Sequence, residues 1–356
     1  VSQVLIMAGG TGGHVFPALS VARELQHRGY SVSWLGTQRG IESRLVPESG
    51  LELNLISVEG VRGKGVWGLL KAPFLISYAI LQALKVLRTV KPGVVIGFGG
   101  FASGPGAVAA KILRIPLVIH EQNAVAGTTN KLSAKFAQRV LTGFDQVLPN
   151  GEWVGNPVRE EIRNLPEPKH RYSSRAEQPI HVLVLGGSLG ALAINELVPG
   201  ALAKLPVNIR PEVIHQCGAK HEEVTRQVYQ RYQVDAVVKP FIDDMAEAYG
   251  WADLVICRAG ALTVAELAAT GVGALLVPLP SAIDDHQTHN AAVLVGACAG
   301  ISVPQQDLTP ESLAKLLQQK LLHRDTLLQL AERARTVHKG DAAAKVADAA
   351  GEMMHG

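Results

Sequence analysis

Cysteine is scarce in this chain: three in 356 residues, at Cys217, Cys257 and Cys298, far apart and without a Cys-x-x-Cys pair. That excludes a disulfide framework and a zinc ribbon, and fits buried thiols in a reducing cytoplasm. Charge of one sign is also lacking, and a formal net charge of +3 is too small to imply a nucleic-acid partner. A membrane-spanning helix needs about 20 unbroken apolar residues, and the most apolar stretch, 66–81, is broken early by Lys71 and Pro73. The expectation is a segment that does not span. No basic region or cleavage site precedes the first apolar run, Val4-Leu5-Ile6-Met7-Ala8, so the protein is expected to stay on the cytoplasmic side. No Asp-x-Asp occurs, which speaks against a metal bridging a nucleotide diphosphate. His286 and His289 are three apart but have no evident third ligand. Neither a metal nor a cofactor is expected.

What the chain does have is glycine, 36 residues of it, and an apolar fraction of 47% with only 5% aromatics. This composition suits α/β proteins in which glycines mark strand-to-helix turns. The length suits two domains. Gly9-Gly10-Thr11-Gly12-Gly13-His14 follows the first apolar run directly. The glycine stretch reads as a sharp turn, neither strand nor helix, that leaves its N–H groups bare for an anion or a sugar. A helix is expected over 17–27 and a second strand over 31–35, the alternation of a doubly wound parallel sheet. His14 is the one side chain of that loop able to move a proton near neutral pH, and so the first candidate for a catalytic base. Val15 stands where a dinucleotide fingerprint would carry its third glycine, and no acidic residue follows a second strand in the usual place. A nicotinamide site is not expected.

Further along, residues 64–81 admit two readings that can occupy two faces of one segment. One is a helix buried on a sheet. The other is an apolar patch of Trp67, Leu69, Leu70, Phe74 and Leu75 beside Arg62, Lys64, Lys71 and Lys85, able to rest on an anionic membrane. After a strand over 94–96, a second glycine turn over 97–106 offers another backbone cradle, with phosphate or pyrophosphate as its natural occupant. A strand over 116–119 then ends in His120-Glu121-Gln122-Asn123, a polar cluster at the ligand-binding edge of such a sheet.

Beyond Gly155-Asn156-Pro157-Val158-Arg159 the apolar periodicity is lost over 165–179, which reads as a linker. The opening theme then returns, with a strand over 181–185, the turn Gly186-Gly187-Ser188-Leu189-Gly190 and a helix over 191–198. That turn also fits the Gly-x-Ser-x-Gly elbow of hydrolases, but a serine opening a helix is more often a cap or a phosphate ligand. Strands over 253–257 and 274–277 follow. Arg258-Ala259-Gly260-Ala261-Leu262-Thr263 opens another helix. Glu266, three residues after Thr263, has the spacing of a capping box; alternatively its two oxygens could accept both hydroxyls of a ribose. The tail, 313–353, is expected to be helical, with its last helix crossing back to the first domain.

Taken together, Gly9 to His14, His120-Glu121-Gln122-Asn123, Gly155 to Arg159, Gly186-Gly187-Ser188, Arg258 to Thr263 and Asp284-Asp285-His286-Gln287 closely resemble the MurG family, bacterial N-acetylglucosaminyltransferases that convert lipid I to lipid II. Leu189 departs from the glutamine common in that family. The resemblance implies an α/β fold of the GT-B class, two Rossmann-like parallel-sheet domains facing across a cleft. They would span 1–158 with 338–356, and 159–337. It implies inverting, metal-independent transfer of GlcNAc from UDP-GlcNAc to lipid I in peptidoglycan synthesis, at the cytoplasmic face of the inner membrane. Other cell-wall synthesis proteins are left open as partners. His14 would be the base. Arg159 and Ser188 would meet the diphosphate, Ile242 the uracil, and Ala261, Leu262, Thr263, Val264, Ala265 and Glu266 the ribose and phosphates. Gln287 would read the sugar hydroxyls, with Thr11, Gly12, Gly13 and Asn123 near the sugar. Gly10, Gly13, Gly99, Gly100, Ser103 and Gly104 would cradle the acceptor pyrophosphate. A UDP-GlcNAc 2-epimerase and a diacylglycerol glycosyltransferase are the rivals of the same fold.

Overall fold

A computed structural model describes residues 2–58, 65–187 and 190–355; the side chains of 65–71, Ile283 and His355 lie outside the description. The chain divides into two compact units, Val1–Val158 with Lys339–Gly356, and Arg159–His338.

The first unit is built on a parallel sheet of β1 (Gln3–Ala8), β2 (Ser31–Gly36), β3 (Glu52–Leu55), β4 (Val94–Gly99), β5 (Leu117–Glu121), β6 (Arg139–Thr142) and β7 (Glu152–Trp153), in the order β3-β2-β1-β4-β5-β6-β7. The strand β1 is central, and Val4 to Ala8 are fully buried because helices cover both faces. The order reverses between β1 and β4, the position at which such sheets bind ligands, in a crevice beyond the C-terminal strand ends. Trp34 on β2 is fully buried, and its indole N–H donates to the carbonyl of Ala8 at 2.8 Å, fixing the end of β1 where the glycine loop begins. The last helix, Ala342–His355, packs on the Gly12–His27 helix, and Arg28 joins Asp348 at 2.5 Å.

The second unit repeats the plan with β8 (His181–Leu185), β9 (Glu212–Gln216), β10 (Val237–Lys239), β11 (Leu254–Cys257), β12 (Gly273–Leu276) and β13 (Gly300–Ser302), ordered β10-β9-β8-β11-β12-β13. Its reversal lies between β8 and β11, in register from Val182 beside Leu254 to Leu185 beside Cys257. The turns after these two strands are the ones that begin at Gly186 and Arg258.

Several boundaries differ from the sequence reading. The first helix begins at Gly12, so Gly12, Gly13 and His14 form its opening turn rather than a loop before it. A first turn needs no N–H partner within the helix, which is why glycines are tolerated there and why their donors stay available. The strand β4 runs on through Gly97, Phe98 and Gly99, and Ser103 and Gly104 already belong to the Ser103–Ile112 helix, so the second glycine turn is shorter than expected. The stretch 165–179 is not a spacer. It holds the helix Pro168–Ser173, started by proline at its first position, and Arg171 is buried with its guanidinium donating to the carbonyls of Pro166, Tyr249, Thr270 and Gly271. Four carbonyl acceptors replace the water that a buried cation loses.

Pro73 does not end a helix either, since one helix runs from Gly65 to Val90 through it. Within it, Ala72–Val90 is long and apolar enough by composition to cross a membrane. One face of this helix, Ala72, Ala79, Ala83, Leu84 and Leu87, is buried, while Phe74 is 79% and Leu81 63% exposed, with Leu75, Ile76 and Tyr78 beside them. Trp67, Leu69 and Leu70 belong to the part whose side chains are not described, and Arg62 and Lys64 lie outside the described residues.

Candidate active site

In the first unit the two glycine loops meet. A Cβ on Gly100 would stand 2.3 Å from the carbonyl oxygen of Gly9, so only glycine allows the loops after β1 and β4 to touch. Ser103 adds a tie: it is buried, and its hydroxyl reaches the carbonyls of Gly99 at 2.7 Å and Met7 at 2.9 Å. Its side chain therefore fastens the loops and does not face the crevice, leaving backbone N–H groups at this helix start as the local anion donors.

His14 projects from the first helical turn and is half-buried. Gly99, at φ +98°, makes room for the ring: a Cβ there would lie 3.1 Å from Cε1 of His14. Nδ1 of His14 is 2.7 Å from Oε1 of Gln122. Gln122 is buried, and its Nε2 lies 3.1 Å from Nδ1 and 2.8 Å from the carbonyl oxygen of His120, whose Nε2 is 2.8 Å from the carbonyl of Gly155. Burial holds the His120 imidazole down at about 4, against the raising effects of the Gly155 carbonyl and of Glu121. Beside it the buried carboxylate of Glu121 accepts from the backbone and side chain of Asn123, from Gly127 N–H and from Asn130. Asn123 is thus held by both its backbone and its side-chain nitrogen.

Glu42 escaped the sequence reading. It is fully buried at the start of the short helix Glu42–Glu48, and its carboxylate accepts from Gly10 N–H at 2.9 Å and from the N–H and hydroxyl of Thr37 at 2.9 and 2.8 Å. Gly9, Gly36 and Gly40 crowd around it, each too close to the carboxylate side chain for a Cβ. Glycines at 36 and 40 shortly before an acid at 42 were the available signal, readable only once β2 and its loop are known to neighbour β1.

In the second unit Ile242 is buried in the loop between β10 and the Met245–Trp251 helix. The helix Ala261–Thr270 begins with Gly260 as its cap residue and carries Ala261, Leu262, Thr263, Val264, Ala265 and Glu266. Thr263 is inside the helix, so the capping box expected of Thr263 and Glu266 does not form. Glu266 instead is buried, with Oε1 accepting from Arg159 at 3.1 Å and Oε2 from the Tyr249 hydroxyl at 3.0 Å. Burial raises its carboxyl above the usual range, and the Arg159 charge and the Tyr249 hydrogen bond pull it back. The fold thus pairs two residues that the sequence assigned to different parts of the donor. The oxygen of Gln287 accepts from Ala259 N–H at 3.2 Å and Leu279 N–H at 2.9 Å, so this side chain can meet a further group only through its NH2. It follows a loop in which Asp284 and Asp285 both take left-handed backbone, at φ 52° and 50°, a conformation uncommon for non-glycine residues and concentrated at binding sites. Ser188, with Leu189, lies outside the described residues.

Comparison with known proteins follows this division. Residues 4–142 match the glycosyltransferase family 28 N-terminal domain and residues 181–351 the glycosyltransferase family 28 C-terminal domain. The chain is 59% identical over 359 aligned positions to a UDP-N-acetylglucosamine–N-acetylmuramyl-(pentapeptide) pyrophosphoryl-undecaprenol N-acetylglucosamine transferase of Cellvibrio japonicus, covering 99% of both chains. It is 52% identical to the protein of the same description from Pseudomonas fluorescens, covering 100% of this chain and 99% of that one. The crystal structure of Acinetobacter baumannii MurG superposes with a TM-score of 0.87 at 42% identity, over 99% of this chain and 100% of that one. The calicheamicin glycosyltransferase CalG4, at 15% identity and a TM-score of 0.69, covers 99% of this chain and 98% of its own, and shares the fold.

Proposed function

The chain belongs to glycosyltransferase family 28, and from that membership we infer that it transfers N-acetylglucosamine from UDP-GlcNAc to the 4-hydroxyl of the N-acetylmuramyl unit of lipid I, giving lipid II and UDP. The observation that carries this reading is near-complete coverage at 59% identity to a transferase of that description.

Its chemistry is a single displacement. The acceptor oxygen forms a bond to the anomeric carbon as the bond from that carbon to the UDP oxygen breaks, with inversion. The hydroxyl proton passes to Nε2 of His14, and the electron pair of the broken bond leaves on the diphosphate. Arg159, Ser188 and the N–H groups at the start of the Ala261–Thr270 helix offset the growing charge. Glu266 accepts from the ribose hydroxyls, Ile242 meets the uracil through its backbone, and Gln287 donates its NH2 to a sugar hydroxyl. Asn123 offers its oxygen to the sugar, near Thr11, Gly12 and Gly13. Gly13, Gly99, Gly100 and the N–H groups of Ser103 and Gly104 hold the acceptor pyrophosphate; Gly10, expected there by sequence, instead commits its one N–H to Glu42.

The exposed apolar face of the Gly65–Val90 helix supports peripheral attachment to the cytoplasmic face of the inner membrane. Phe74, Leu75 and Leu81 enter the lipid and Lys85 meets anionic headgroups. The sequence reading adds Trp67, Leu69 and Leu70, whose side chains lie outside the description, to the proposed membrane patch.

The test is incubation with UDP-GlcNAc and lipid I in the presence of a chelator, following lipid II and UDP. Both should appear with wild-type protein. His14→Ala should turn over about 10²–10⁴-fold more slowly while still binding UDP-GlcNAc. Free N-acetylmannosamine without acceptor, or transfer to diacylglycerol in place of lipid I, would replace this reading with an epimerase or a glycolipid transferase.

A further inference from the structure

A histidine base works only if the nitrogen that faces the substrate carries a lone pair, and an isolated neutral imidazole divides between two tautomers. We propose that Gln122 is a positioning residue that locks His14 in the tautomer protonated at Nδ1, and that His120 and the Gly155 carbonyl set the direction of the Gln122 amide. The proposal rests on the reading of His14 as base.

The backbone carbonyl oxygen of Gly155 can only accept a hydrogen bond. The Gly155 carbonyl oxygen is 2.8 Å from Nε2 of His120, so that nitrogen carries the proton. His120 is fully buried and stays neutral, which leaves its Nδ1 with a lone pair. The end of the Gln122 amide near it lies 3.1 Å from this lone pair and 2.8 Å from the His120 carbonyl oxygen. Both neighbours are acceptors, so the NH2 must be at that end. The amide oxygen is then the atom 2.7 Å from Nδ1 of His14. An amide oxygen only accepts, so Nδ1 of His14 carries the hydrogen and Nε2 is left as the base.

A carboxylate in place of Gln122 would orient the ring equally well but would draw a proton onto it. A neutral amide orients it without that charge. The Gly155-Asn156 pair gains a role as well, because the Asn156 side chain donates to the backbone carbonyl oxygen of Gln122 at 3.0 Å while Gly155 anchors His120. This segment, at the end of the first unit, acts on His14 through two intervening side chains.

The test reads the tautomer directly, by long-range 15N–1H NMR on protein labelled at histidine, with the His14 signals assigned by their loss in His14→Gln. The expected result is a protonated Nδ1 and a bare Nε2 on His14 in the wild-type protein. Gln122→Met keeps the length and removes the acceptor. It should move His14 to a mixture or to the Nε2-protonated form and lower kcat about 10–100-fold, with KM for UDP-GlcNAc within about twofold because donor contacts are untouched. An Nε2-protonated His14 in the wild type overturns the proposal without any variant. Wild-type kcat in a folded Gln122→Met does so too. If instead His14→Ala retains activity, the base reading fails, a result distinct from either.

Discussion

The carboxylate of Glu42 accepts a hydrogen bond from the backbone N–H of Gly10 at 2.9 Å, across a sequence separation of 32 residues. Together with its two bonds to Thr37 this makes a buried acid the brace of the loop that leads into the helical turn of His14. Replacing Glu42 by alanine strands the two buried Thr37 donors and the part-buried Gly10 N–H. The expected cost is about 3 kcal/mol or more, from unsatisfied groups and the void together, read as a lower urea midpoint. Turnover should fall with it, because Gly10 and the first helical turn lose their anchor. A midpoint within error of the wild type would remove Glu42 from this role.

Glu266 bridges Arg159 and Tyr249 while being assigned to the ribose. Glu266→Gln keeps the size and one acceptor oxygen but loses the charge and the second acceptor. UDP-GlcNAc binding, measured by calorimetry, should weaken about 10-fold, the scale of one charge-assisted hydrogen bond. UDP should weaken in parallel, since the ribose is common to both. Weakening confined to UDP-GlcNAc would place Glu266 near the sugar.

Two buried histidines make stability depend on pH. Burial lowers His120 to about 4 and His215 to about 3, the latter enclosed by the Tyr229 hydroxyl at 2.8 Å and Asn195 at 3.0 Å. Above about 6.5 neither the folded nor the unfolded state binds these protons, and pH has no effect through them. As pH falls below that value the unfolded chain takes up protons that the folded protein refuses, so stability is lost. The loss approaches about 1.4 kcal/mol per pH unit for each histidine until its folded value is reached. Between pH 6 and 5 the wild type should therefore lose about twice as much from these two groups as His215→Gln does, by urea unfolding at each pH. Equal losses would mean that His215 takes its proton inside the fold.

The exposed face of the Gly65–Val90 helix flanks a groove lined by Leu53, Leu55, Tyr78, Leu81, Gln82 and Lys85. Phe74→Ser with Leu81→Ser removes two large exposed apolar groups and should leave the melting temperature unchanged, since neither contributes to the core. Each is worth about 1.5–3 kcal/mol when buried, so sedimentation with anionic vesicles should drop about 10²-fold or more. Unchanged sedimentation would move the attachment surface elsewhere on the protein.

Much of this molecule is legible in its sequence because its signals are local. The strand β8 spans the same residues, 181–185, that its apolar run marks. The turns after β1, β4, β8 and β11 announce themselves by glycine where the chain must reverse. Boundaries slipped where a tertiary contact overrides the local signal. Gly12 and Gly13 enter a helix because a first turn asks for no internal donor. The polar stretch 165–179 folds because Arg171 finds four carbonyls that its neighbours in sequence do not supply.

By itself the sequence determined the two parallel-sheet units, the family, and the identity of the residues that carry the proposed chemistry, because periodicity, glycine turns and motif order are written along the chain. Only the tertiary structure decided what those residues touch. It gave Glu42 to Gly10, Arg159 to Glu266, and Gln122 to both His14 and His120. These pairings join residues far apart in the chain, except for Gln122 and His120. They depend on strand order and on the burial that forces each polar group to find a partner, and neither is encoded in any single stretch.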